Sequence, residues 1–152
     1  MIAIIKCAWL IALAVTMPAL AYPADYSRYA EVCEPYREAI EHTLAEYGVP
    51  AQFFFLMAAE SHCNPDAVSP AGAVGIWQMM PRTAAKFGCS EPLDVACETR
   101  AAAAYLAHLL DECGEADTVY CWHDGGHNFK RKKTPSPGAR ALRRVFEAFA
   151  NR

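Results

Sequence analysis

The sequence predicts a mainly α fold, at most α+β with minimal strand, organised as one helical domain. Three observations predict it. Residues Tyr36, Ile40, Thr43, Leu44 and Tyr47 fall on one face at helical spacing and stop at Gly48 and Pro50. An alanine-rich stretch repeats Ala102, Tyr105, Leu106, Leu109 and Leu110 in the same way up to Gly114, and Leu142, Val145, Phe146 and Phe149 form a third stripe. Six cysteines follow the first twenty-odd residues, an even number that suits a small stapled domain.

In chain order, Lys6, the apolar stretch from Cys7 to Met17 and the small-residue pattern Ala19-Leu20-Ala21 read as a secretory signal over residues 1–21. The mature chain is then expected to begin near Tyr22, in the periplasm or secreted. Residues 22–35 form a polar lead-in to the first amphipathic helix. Pro50 opens a second, buried helix through Phe53-Phe54-Phe55-Leu56-Met57-Ala58-Ala59 to Glu60. Asn64-Pro65 and Ser69-Pro70 mark turns, Pro81 opens a helix and Gly88 closes it. Asp94 and Thr99 are alternative caps for the alanine-rich helix. A short helix follows from Asp117 to His123 and ends at Asp124-Gly125-Gly126. Residues 22–128 form the main domain, and residues 129–152 add a basic loop and the last amphipathic helix.

The short spacings suggest Cys89–Cys97 and Cys113–Cys121, which leaves Cys33 with Cys63, although six cysteines allow fifteen connectivities. A metal alternative would use Cys113, Cys121, His123 and His127, but that spacing fits no standard zinc pattern, so no metal and no cofactor is expected. Charge is unevenly spread. Residues 22–124 hold five Lys/Arg against sixteen Asp/Glu, a balance of −11, whereas residues 125–152 hold eight against one, a balance of +7. The basic end reads as a solvated tail or as an electrostatic contact to an anionic wall polymer, a membrane surface or a partner. Nucleic acid is not expected, because no recognition motif accompanies the charge. Phosphate-binding glycine loops, metalloprotease motifs and serine-nucleophile elbows are absent from the sequence.

The chemistry concentrates between residues 60 and 83. A carboxyl at the end of a buried helix sits beside apolar walls, and desolvation disfavours its anion. A Glu that stays protonated near neutral pH is what a general acid for a glycosidic oxygen requires. Gly72 and Gly75 allow close backbone approach, and Trp77, Gln78, Met79 and Met80 offer a stacking face, an amide and an adaptable wall. The bland alternative for Glu60 alone is a solvated helix end.

Glu60-Ser61 together with Ser69-Pro70-Ala71-Gly72-Ala73-Val74-Gly75-Ile76-Trp77-Gln78-Met79-Met80-Pro81-Arg82-Thr83-Ala84 resembles the SLT-type lytic transglycosylases, a family with a goose-type lysozyme-like fold. The resemblance runs from about Tyr36 to about Gly125. Thr99-Arg100-Ala101-Ala102-Ala103-Ala104-Tyr105-Leu106 is similar to a segment of the membrane-bound-D-type members. It implies a saccharide cleft, peptidoglycan glycan strands as substrate, and Glu60 as general acid and then base in forming 1,6-anhydromuramoyl ends. It further implies substrate contacts at Ser61, Gly75, Gln78, Met79, Tyr105, Trp122 and His123, with Ser61 orienting the carboxylate or the peptide stem and Gln78 bonding an acetamido group. Family analogy extends to a wall-spanning secretion, pilus or conjugation apparatus as a partner.

One departure stands out. Where most members carry Tyr-Asn-Ala-Gly, this chain has Trp122-His123-Asp124-Gly125, which keeps an aromatic wall and loses a phenolic hydroxyl near Glu60. Two other readings remain open at this level. A hydrolysing muramidase would need a second carboxylate, for which Asp66 and Asp124 are the candidates. A non-catalytic wall-binding protein would use the same groove for docking.

Overall fold

The computed structural model describes residues 26–150; the secretory signal read over residues 1–21 lies outside the described residues, as does the side chain of Phe149. Among the described residues seven α-helices follow in order: α1 Tyr26–Glu46, α2 Phe54–Ser61, α3 Pro81–Lys86, α4 Val95–Cys113, α5 Thr118–Asp124, α6 Gly126–Lys132 and α7 Pro137–Ala150. Single 3-10 turns at Ala51–Phe53 and Glu115–Asp117 lead into α2 and α5. Among the described residues the extended structure amounts to isolated bridges, Val68 with Val74 and Val74 with Met79. The fold is mainly α, as the helical stripes predict.

The helix ends follow from local chemistry. Gly48, Gly88 and Gly114 all take positive φ just beyond a helix, where a side chain would be strained. Pro81 occupies the first turn of α3, where its missing N–H costs nothing. Asp94, not Thr99, caps α4 by accepting the Cys97 N–H at 2.6 Å. Thr99 is buried instead, and its hydroxyl accepts the indole N–H of Trp77 at 3.1 Å.

The core gathers Ile40 and Leu44 from α1, Phe54, Leu56 and Met57 from α2, Leu106 and Leu109 from α4, Val119 from α5 and Phe146 from α7. Three disulfides lock it, Cys33–Cys63, Cys89–Cys97 and Cys113–Cys121, the pairing that the short spacings suggest. With Cys113 joined to Cys121, neither sulfur is a thiolate ligand. Each bridge is worth on the order of 2–4 kcal/mol.

Two regions differ from the sequence reading. The lead-in at 26–35 is already helical and belongs to α1, with Pro35 inside the helix and Cys33 buried and tied to Cys63. The basic end is not a separate tail. The division at residue 128 falls within α6, and α7 packs on α2 and α5, with Phe146 stacked on Phe53 at 5.5 Å between ring centres. Thr134–Ser136 is a short turn, and the Ser136 hydroxyl accepts the Ala139 N–H to start α7. α7 thereby braces the helix that carries Glu60.

Candidate active site

Glu60 is the penultimate residue of α2. The preceding turns bury Phe54, Leu56, Met57 and Ala58, so α2 is immobilised by packing on most of its surface. The chain then stops abruptly: His62 and Cys63 both adopt left-handed φ, 55° and 60°, and the Cys33–Cys63 bridge pins the reversal. Glu60 therefore projects from a rigid stub into a cavity of about 490 Å³.

Burial pushes the Glu60 carboxyl up from its ordinary value to about 7, and two weaker influences oppose the rise. One is a hydrogen bond from the Trp122 indole N–H to Oε1 at 2.9 Å; the other is the charge of His123 when protonated. Trp122 itself is buried, 6.0 Å from the Trp77 ring and 5.3 Å from the Tyr105 ring. The Trp122 indole N–H thus gives Glu60 a hydrogen-bond donor, so the residue is more than an aromatic wall.

The loop from His62 to Met80 forms the facing wall, and a second carboxylate holds it. Glu98, in the first turn of α4, is completely buried and accepts the backbone N–H groups of Ile76 at 2.8 Å, Trp77 at 3.0 Å and Met79. Burial raises its carboxyl to about 7 while those bonds pull it down. A Cβ on Gly75 would lie 2.1 Å from Glu98 Oε2 and 2.4 Å from the Pro92 carbonyl oxygen, at a φ of 81°. Only glycine fits there.

Six of the expected site residues, Glu60, Gln78, Met79, Tyr105, Trp122 and His123, line the same cavity. Ser61 and Gly75 do not. Ser61 is buried and its hydroxyl donates to the Ile76 carbonyl at 2.6 Å, joining the end of α2 to the loop. Gly75 faces Glu98 and not the cavity. Gln78 has a φ of 52°, and its amide nitrogen donates to the Ala67 and Gly75 carbonyls at 3.0 and 2.9 Å, so only its carbonyl side can meet a ligand. Trp77 is not a stacking face: it is fully buried in the core. Met80, by contrast, is exposed at the rim.

The other acids near the site are differently engaged. Asp124 lines the cavity, but Oδ2 accepts the Ser136 N–H at 2.8 Å and Oδ1 accepts the Ser136 hydroxyl at 2.5 Å. His123 Nδ1 lies 3.1 Å from the same Oδ1. Burial pushes Asp124 up, yet these bonds together hold it below its ordinary value. The His123 ring in turn fills the space over Gly138, where a Cβ would come within 2.7 Å of it. Asp66 is exposed and lies outside the cavity lining; its backbone N–H is bonded by the Asn64 side chain. Among the described residues no cluster of three or more metal-ligating side chains occurs.

Glu98 belongs to none of the sequence motifs singled out above. A signal was present: Glu98, Ala102, Tyr105 and Leu109 share the i, i+4, i+7, i+11 spacing of the apolar stripe, so an acid stands on the buried face of α4.

The sequence model of the "Transglycosylase SLT domain" family matches residues 38–145. A transglycosylase of Enterobacteria phage PRD1 is 30% identical over 117 residues, which cover 75% of this chain and 44% of the phage protein. The chain thus spans less than half the length of that relative. No solved structure matches.

Proposed function

Because the chain belongs to the transglycosylase SLT domain family, we propose that it is a peptidoglycan lytic transglycosylase that cleaves the β-1,4 bond between N-acetylmuramic acid and N-acetylglucosamine. The observation that carries the reading is Glu60, a carboxyl pushed up to about 7 in a cavity where no other acid is unengaged.

In this mechanism the Trp122 N–H holds Oε1 and leaves Oε2 to carry the proton. Glu60 gives that proton to the glycosidic oxygen, the bond to the muramoyl C1 breaks, and the N-acetylglucosamine leaves with a free 4-hydroxyl. The Glu60 carboxylate then takes the proton of the C6 hydroxyl of the same muramoyl ring. Its oxygen bonds to C1, closing a 1,6-anhydro ring and returning Glu60 to its protonated form. No water is consumed. An intramolecular attack of this kind draws on proximity, which can supply several kcal/mol of rate acceleration. Tyr105 and Met79 offer the apolar faces on which sugar rings pack, and Gln78 offers a carbonyl to an acetamido N–H.

A hydrolytic muramidase is less well supported, because Asp66 is outside the cavity and Asp124 is engaged by Ser136. A wall-binding protein without activity would not need a poised carboxyl. Three disulfides suit an exported protein, in keeping with a periplasmic or secreted enzyme that opens the wall for a larger apparatus. The test is digestion of purified peptidoglycan by the oxidised protein, with products read by mass spectrometry. Anhydro-ended muropeptides, absent with Glu60→Gln, are expected. Ordinary reducing ends would assign a hydrolase, and no release at all would leave a binding protein.

A further inference from the structure

A second cavity, about 580 Å³, opens beside the first, and Tyr105 and Gly125 line both. Its chemistry is different. Lys86 enters it from the last turn of α3, His108 from α4, and His127, Lys130 and Arg131 from α6. One carboxylate stands among them, Glu112, and Lys130 Nζ pairs with it at 2.5 Å. Lys86 and Arg131 therefore give the cavity a net positive charge, with two imidazoles beside them. This occurs in a molecule whose residues 22–124 carry a balance of −11. Positive charge is brought to that position because α6 folds back against α4 and α5. A neutral sugar chain has no use for such a field.

We infer that this cavity binds the peptide stems of the glycan strand through their carboxylates. The inference rests on the proposed wall substrate. Each muramoyl residue carries a peptide on its lactyl group, and the terminal and side-chain carboxylates of that peptide are anionic at neutral pH. A strand seated at Glu60 by its sugars projects its stems past Tyr105 and Gly125, the walls that the two cavities share. The acidic remainder of the domain repels those carboxylates, whereas Lys86 and Arg131 attract them. Arg131 also offers the planar fork that grips a carboxylate by two hydrogen bonds. The cavity thereby selects strands that still bear stems over stripped glycan.

The experiment measures binding separately from cleavage. Binding of Glu60→Gln protein is measured by isothermal titration calorimetry to soluble, uncross-linked, stem-bearing glycan strands free of wall-linked phosphate polymer, and to the same strands after an N-acetylmuramoyl-L-alanine amidase has removed the stems and left a lactyl carboxylate on each muramoyl residue as the remaining charge. About tenfold tighter binding to the stem-bearing material is expected, the scale of two exposed ion pairs, and the difference should shrink as salt is raised. Adding K86Q and R131Q should abolish the difference, and K86E with R131E should invert it; circular dichroism verifies that each variant is folded. Equal binding to both materials, or a difference that survives the charge reversal, would overturn the assignment. Muropeptide release by the unaltered chain is followed in parallel. Stem-dependent binding without release would refute the transglycosylase and keep the cavity, whereas release without stem dependence would do the reverse.

Discussion

Glu60 and Glu98 are two helix-borne glutamates whose carboxyls burial pushes up to the same value, about 7, yet they do opposite work. Glu98 sits under the loop, fully enclosed, with both oxygens bonded by backbone N–H groups. Glu60 accepts one bond, from Trp122, and has its other oxygen toward a cavity. The contrast teaches that a raised carboxyl is not by itself a catalyst. What separates an acid from a clamp is whether an oxygen is left free on the side where a ligand can reach.

The same substitution at the two positions should therefore give opposite phenotypes. Glu60→Gln is expected to lower the cleavage rate by about 10²–10⁴-fold, the usual worth of a positioned general acid, with the denaturation midpoint unchanged or slightly raised. Glu98→Gln puts an amide where three N–H donors need an acceptor, and should cost about 3 kcal/mol in chemical denaturation. Retention of full stability in Glu98→Gln would mean the loop is held by something else. Gly75→Ala tests the same clamp from the other side: its Cβ collides with Glu98 and Pro92, and a loss of about 2 kcal/mol is expected by the same assay.

Smaller effects sharpen the Glu60 side. Trp122→Phe keeps an aromatic ring and deletes the donor that favours the Glu60 anion. The Glu60 carboxyl should then hold its proton to higher pH, and the alkaline limb of the rate profile should move upward. A downward move would contradict the role assigned to the indole. The sign for stability follows from the same shifts. Both carboxyls ionise near the ordinary 4.5 in the unfolded chain and near 7 in the folded one. Their contribution is fully present below about 4.5 and is lost as pH rises through about 7, a slope that should flatten in Glu98→Gln.

Much of this was legible in the sequence, for local reasons. Glycine and proline mark helix ends wherever φ is restricted, so Gly48, Pro81, Gly88 and Gly114 are readable one residue at a time. The apolar run before Glu60 forecasts both burial and the raised carboxyl. The contacts that cross the chain were not legible. Ser61 and Gly75 close the loop on α2 and Glu98 through contacts that span 15 residues or more and that no local spacing encodes. Trp122 reads as a wall until its N–H is found 62 positions away on Glu60. The basic end reads as a tail by composition, and its three-dimensional packing on α2 and α5 makes it part of the core.

The most direct measurement is a carbon-13 NMR titration of the glutamate side-chain carboxyls in the oxidised protein, with the Glu60 signal assigned by its loss in Glu60→Gln. A Glu60 midpoint near 7, moved upward in Trp122→Phe, is expected. A midpoint at the ordinary 4.5 would show a solvated carboxylate and contradict the general acid.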